Sequence, residues 1–202
     1  MRRLLDALLL AGAILVGPLS RRPVRPLGDE SRRPLPGDDV LPAAKGRWTN
    51  AITIRGRPDD IWPWLAQMGC RRGGWYSYDG LDNGGLRSAP EIIPELQRVE
   101  VGDLFAGTPR AEDGFFISKV EPERMLVLTA NAGDLYRAAW AFVLEPIDNR
   151  TTRLITRSSG DYERRAVGLG LRLIGHPIHF AMQRKQLLNI RRQVETATPS
   201  AA

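Results

Sequence analysis

The second half of the chain is a series of short apolar stretches cut apart by turn-forming residues and closed by one long amphipathic stretch. Residues 115–120 (FFISKV), 124–130 (RMLVLTA), 138–145 (AAWAFVLE) and 151–158 (TTRLITRS) each have strand length and strand composition. Between them stand Glu121-Pro122-Glu123, Asn131-Ala132-Gly133-Asp134 and Pro146-Ile147-Asp148-Asn149, which are turn compositions at hairpin spacing. Strands joined this way form an antiparallel meander, because a parallel pair needs a long crossover. Residues 162–195 read as helix, divided by Pro177. Beyond that proline Phe180, Gln183, Leu187, Ile190 and Val194 share one face, with Arg184, Lys185, Arg191 and Arg192 away from it. A meander must cover one face, and only this terminal helix is long enough to do so. The pattern therefore predicts an α+β fold, a curved antiparallel sheet wrapped around a long C-terminal helix. A sheet bent around a helix need not close on it completely, so a cavity between the two is expected.

The first half adds less regular structure. Residues 48–55 (WTNAITIR) alternate Trp48, Asn50, Ile52 and Ile54 on one face and predict a strand. A helix is expected to open at Pro58-Asp59-Asp60, where a proline and two acids suit the first turn. Its apolar stripe is Ile61, Leu65 and Met68, and Gly69 ends it; Pro63 must sit near the first turn or kink the helix. Residues 70–97 read as irregular, glycine-rich and aromatic, and residues 102–105 as a short strand. Residues 18–47 are rich in proline, arginine, glycine and aspartate, without periodicity. Residues 4–17 (LLDALLLAGAILVG) follow Met1-Arg2-Arg3 and are apolar but short for a bilayer span, with Asp6 inside. An uncleaved anchor or peripheral membrane helix, a cleaved signal and a soluble helix are all open readings of that run. Membrane association through it, or a cytoplasmic protein, is favoured over secretion. The expected organisation is 1–20 as a hydrophobic N-terminal segment, 21–47 as a linker arm, 48–196 as one domain and 197–202 as a tail.

Composition removes several classes of function. One cysteine, Cys70, in 202 residues excludes a disulfide framework and a multi-cysteine zinc site. His176 and His179 are the two histidines; they lie three apart with no adjacent carboxylate, so no metal and no cofactor is expected. One of them as a general base at a cavity mouth is a lesser reading beside a helix kink near solvent. The net charge of +6 gathers at the two ends of the chain, with no basic run interleaved with aromatics, so nucleic acid is not expected as a partner. No phosphate-binding glycine loop or nucleophile elbow is present, and Cys70 follows a helix C-terminus, which does not activate a thiol.

Particular blocks carry a resemblance. These are Leu35-Pro36-Gly37-Asp38-Asp39, then Ile61-Trp62-Pro63-Trp64-Leu65-Ala66-Gln67-Met68-Gly69, and Arg72-Gly73-Gly74-Trp75-Tyr76-Ser77-Tyr78-Asp79. Further ones are Ile93-Pro94-Glu95-Leu96-Gln97 with Val101-Gly102-Asp103, and Met182-Gln183-Arg184-Lys185-Gln186-Leu187-Leu188. Over residues 35–195 the sequence resembles a bacterial branch of the START-like, helix-grip superfamily (SRPBCC), which includes polyketide cyclase types. The resemblance implies a hydrophobic-ligand cavity under the last helix and implies no single reaction.

Candidate ligand-binding residues are Trp75, Tyr76 and Tyr78 in the glycine-rich block, Phe116, Trp140 and Phe142 on strands, and Phe180, Gln183 and Leu187 on the last helix. Aromatics with polar tips suit the wall of an apolar pocket, and plugging the end of the core is the equal alternative. Gln183, on an apolar helix face, needs a partner or a ligand head. Three functions compete: carriage or sensing of an apolar small molecule, such as a lipid, isoprenoid or polyketide-like compound; a cyclase or dehydratase using Tyr76, Tyr78 or Asp79 as acid or base; and a membrane-tethered interaction domain with a filled interior.

Overall fold

The computed structural model describes residues 23–109, 114–131, 136–162 and 175–197. Strand β1 (Gly46–Arg55) leads into helix α1 (Pro58–Ala66) and, after an irregular stretch, the short helix α2 (Asp79–Asp82). A 3-10 turn at Pro94–Leu96 precedes β2 (Leu104–Ala106), β3 (Gly114–Glu121), β4 (Met125–Asn131), β5 (Arg137–Asp148) and β6 (Thr151–Asp161). Helix α3 (His176–Ala197) closes the chain. The strands form a six-stranded sheet in the order β1-β6-β5-β4-β3-β2, with every pair antiparallel. Strands β3 to β6 are the expected meander; β2, the short strand expected at 102–105, adds to its edge on β3, and β1 pairs with β6 at the other edge, Gly46 opposite Gly160 through Arg55 opposite Thr151. The expected α+β helix-grip architecture is the observed one.

Local rules account for the elements. In α1 Pro58 occupies the first turn and the Arg57 N–H donates to Asp60 Oδ2 at 2.8 Å, satisfying a donor that the helix start leaves open. Pro63 lies within α1. Ile61, Leu65 and Met68 are fully buried, as their spacing predicts, and Trp62 and Trp64 are buried beside them. Gly69, at φ 118°, makes the turn after the helix and pairs with Gly74 in an isolated antiparallel bridge. The β5–β6 hairpin is longer than expected. The pairing runs on to Asp148 opposite Thr151, with a bulge between Pro146 and Asp148.

The inner face of the sheet carries Ile52, Ile54, Leu126, Leu128, Phe142, Leu144 and Leu154 into one core with α1 and the Leu187–Ile190–Val194 stripe of α3. The segment expected as a linker arm, where described, is packed on the outer face. Leu35 forms a second buried cluster with Ala51, Val143 and Ile155. Arg153 and Arg157, outward-facing on β6, are buried under this segment. Arg153 pairs with Glu30 at 2.7 Å and Arg157 with Asp38 at 2.6 Å. Their other guanidinium donors go to main-chain oxygens of Arg25, Glu30 and Arg33 and to the hydroxyls of Thr53 and Thr49. The expected run at 4–17 and most of the expected helix before Pro177 lie outside the described residues. Among the described residues, no helix is long and apolar enough to cross a membrane.

Candidate functional site

The sheet and α3 do not fill the space between them. Two adjoining cavities open there, one of about 200 Å³ and one of about 160 Å³. Phe115, Trp140 and His179 line both and so form the partition. The larger cavity has Trp75, Phe115 and Trp140 as its aromatic side, Met182, Gln183 and Gln186 of α3 as its helical side, and Ser77 and Asp82 at its loop end. The smaller one lies toward Trp48, Tyr136, Ala138, Ser158 and His176. A filled interior, the expectation attached to a purely structural domain, is not what the structure contains.

Backbone geometry places the aromatic wall. Trp75 follows Gly74, whose φ of 84° and closeness to Ser88 leave no room for a side chain. The Trp75 indole Nε1–H donates to the Ala106 carbonyl at 3.1 Å, which fixes the ring across β2. The Trp75 ring stacks on Trp140, centroids 5.7 Å apart at 18°. Phe115 meets both edge-on, at 5.7 and 5.5 Å. Trp140 is directly opposite Ser158 in the β5–β6 register, and the Ser158 hydroxyl hydrogen-bonds the His179 ring Nε2 at 2.8 Å. Burial, with a smaller contribution from His176, drives the His179 pKa down to about 4, so the imidazole is neutral at ordinary pH. At the outer end of the smaller cavity the His176 ring stacks on Trp48, 4.8 Å between centroids.

The polar groups of the larger cavity are unusual in being left over. Asp82 is 9% exposed, and among the described residues neither carboxylate oxygen has a hydrogen-bond partner. Ser77 lies beside it but directs its hydroxyl to the Met182 carbonyl at 3.1 Å. Burial first, and then the neighbouring Asp79 carboxylate, push the Asp82 pKa up to about 6, against smaller lowering effects from the Ser77 hydroxyl and the Tyr78 and Asp82 main chain, which lie close by without forming a well-aligned hydrogen bond to it. Trp140 Nε1, Gln183 Nε2 and Gln186 Oε1 are likewise buried without partners among the described residues. The other ends of the two amides are engaged. Gln183 Oε1 accepts from Asn50 Nδ2 at 2.5 Å, and Gln186 Nε2 donates to the Trp75 carbonyl at 3.0 Å. Buried polar atoms are nearly always satisfied, so four such side chains around one cavity single it out as the candidate site.

The candidate residues read from the sequence divide accordingly. Trp75, Trp140 and Gln183 line the larger cavity. Phe142 and Leu187 are fully buried in the core beside it and do not line it. Phe180 is half-buried on α3 and lines neither cavity. Phe116 needs correction: it is 48% exposed, and its neighbour Phe115 takes the place at the cavity. Successive strand side chains alternate faces, so a shift of one residue exchanges wall for surface. Tyr76 and Tyr78 are buried but line neither cavity. The Tyr76 hydroxyl accepts from Gln67 Nε2 at 2.5 Å, and burial raises its pKa to about 12. Tyr78 carries the Lys185 ammonium over its ring at 3.9 Å. Asp79 Oδ1 accepts from the Ser88 hydroxyl at 2.7 Å and holds a loop. The residues that sequence reasoning missed are Asp82, Gln186 and Phe115, together with Ser158 as the partner of His179. No metal-holding cluster of His, Cys, Asp or Glu occurs among the described residues.

An antiparallel sheet that grips a long terminal helix and leaves an aromatic-walled hollow beneath it defines a helix-grip α+β domain. No protein-family model and no curated protein matches the chain. Among solved structures it is similar to a START superfamily protein from Mycobacterium smegmatis, with 10% identity over 75% of this chain and 99% of that one, and a TM-score of 0.44. It is also similar to a protein from Mesorhizobium loti (20% identity, 76% and 99% coverage, TM-score 0.44). A conserved protein from Geobacillus kaustophilus is similar too (15% identity, 75% and 97% coverage, TM-score 0.42).

Proposed function

We propose that this domain binds a hydrophobic small molecule between the sheet and α3 and carries or senses it rather than converting it. The observation that supports this best is the larger cavity of about 200 Å³, lined by Trp75, Phe115, Trp140 and Met182 with a few polar groups at one end. Apolar walls with sparse, placed polar atoms are the usual make-up of a small-ligand site. A cyclase or dehydratase working through Tyr76, Tyr78 or Asp79 is disfavoured. All three are committed to packing or loop hydrogen bonds away from the cavity, and the Tyr76 phenol holds its proton more tightly than a free one.

Native mass spectrometry of gently purified protein tests the proposal. The expected result is a mass excess from a co-purified apolar compound, displaced by Gln183→Trp, which places an indole in the cavity. A bare mass for the wild type, with no change in tryptophan fluorescence when apolar compounds are titrated in, would overturn it.

A further inference from the structure

We propose that the ligand of the larger cavity carries a protonated amine, held by the Asp82 carboxylate and the Gln186 carbonyl oxygen beside the indole rings of Trp75 and Trp140. This rests on the reading of the cavity as a small-molecule site and specifies the chemistry of its polar end.

A carboxylate that is nine-tenths buried is costly to keep ionised unless it is paired, because it has lost its hydration. Among the described residues Asp82 has no cationic partner. The charge acting on it is that of Asp79, which is of the same sign. Two cations of this region are engaged elsewhere: the Lys185 ammonium sits over Tyr78, and the Arg72 guanidinium donates to the carbonyls of Ala66, Met68 and Leu96. A cation brought by the ligand removes the mismatch.

The number and kind of the leftover atoms then fit an ammonium. A primary ammonium has three N–H donors and accepts nothing. The cavity's unpartnered acceptors are Asp82 Oδ1, Asp82 Oδ2 and Gln186 Oε1. The Gln186 amide cannot exchange its ends, because only its NH₂ can donate to the Trp75 carbonyl. The walls are suited as well. Trp75 and Trp140 line the cavity, indole being the best aromatic partner for a cation, and Phe115 stands edge-on beside them. The two leftover donors, Trp140 Nε1 and Gln183 Nε2, call for an oxygen acceptor elsewhere on the same molecule, such as a hydroxyl, ether or carbonyl. A carboxylate or phosphate head would meet Asp82 with like charge, and a plain hydrocarbon would leave every one of these atoms bare.

The test compares head groups on one apolar body. Calorimetric titration of the full chain at pH 7.5 with 2-phenylethylammonium, 2-phenylethanol and 3-phenylpropionate should rank them in that order. The ammonium is expected to bind about tenfold or more tighter than the alcohol, a gap typical of a desolvated, paired charge. Asp82→Asn should erase that preference, bringing the ammonium and the alcohol to within about twofold of each other. Gln186→Leu should weaken the ammonium selectively. Equal binding of ammonium and alcohol, or preference for the carboxylate, overturns the head-group assignment and leaves the cavity reading standing. Failure of all three compounds to bind overturns both. The wild-type ranking alone decides the matter if either variant fails to fold.

Discussion

Asp82 and His179 line the same cavity and are perturbed in opposite directions by the same cause, removal from water. Their effects on stability therefore oppose each other. For Asp82 the folded pKa of about 6 stands above the reference value of 3.8, so its contribution is fully present below 3.8 and is lost as pH rises through 6. For His179 the folded value of about 4 stands below the reference 6.5. Its contribution is present above 6.5 and is lost as pH falls through 4. At 1.36 kcal/mol per unit each shift corresponds to about 3 kcal/mol as an upper figure, since His179 is only partly buried and groups of this kind relax or admit water. Between pH 4 and 6.5 the two offset each other in the unliganded wild type. Asp82→Asn should raise stability at pH 7.5 by about 1–3 kcal/mol. It should also make stability fall more steeply than wild type on acidification. His179→Phe should do the reverse, with stability rising relative to wild type from pH 6.5 down to 4. Urea denaturation of the three proteins at pH 4.5, 5.5 and 7.5 reads both slopes. Parallel profiles would mean that neither group is desolvated in the folded chain.

At the scale of elements, the segment before β1 has more work than its composition implies. Proline, arginine and aspartate without period read as a linker, yet Leu35 seals the outer face of the sheet, and Glu30 and Asp38 neutralise two arginines buried on β6. Removing one partner leaves an uncompensated buried charge, so Glu30→Ala should cost about 3–5 kcal/mol in urea unfolding. Replacing both partners, Glu30→Met with Arg153→Met, should recover much of that loss, since a well-packed apolar pair is nearly neutral. A small loss in the single variant would show that the segment contributes little to the fold. The contrast also shows what the sequence can and cannot display. Period-2 alternation revealed β1 and its inward face, with Trp48 at the cavity and Asn50 on Gln183, because burial of one face enforces it. Helical spacing revealed Leu187, Ile190 and Val194 for the same reason. Salt bridges across the sheet leave no period, so the role of the arm was invisible. Asp82 was hidden too: within Gly80-Leu81-Asp82-Asn83-Gly84 an aspartate reads as turn chemistry, and nothing local says that the turn is buried. Gln186 was missed because it falls one position off the apolar stripe, on the flank that faces Trp75.

On the scale of the whole molecule, the interior is one space divided by three side chains. Phe115, Trp140 and His179 belong to the walls of both cavities, and Trp140 touches both of the others, at 5.5 Å to Phe115 and 5.4 Å to His179. A ligand longer than one ring must thread past this partition or move it. Trp140 is pinned against Phe142 at 4.7 Å in the middle of β5, and His179 is tied to Ser158. Phe115 is the exception. It lies near the start of β3, beside the short edge strand β2, and is only half-buried. It is therefore the ring whose displacement costs least. Phe115→Ala should join the two cavities into one. The expected stability loss is about 2–3 kcal/mol, below that of a fully buried phenylalanine, because part of the ring is already exposed. The same variant should shift binding from phenyl to naphthyl bodies on a common ammonium head, measured as the ratio of the two dissociation constants against wild type. Trp140→Phe, which thins the partition without opening it, should leave that ratio close to the wild-type value. A ratio unmoved by Phe115→Ala would mean that the chambers remain separate and that only the larger one takes a ligand.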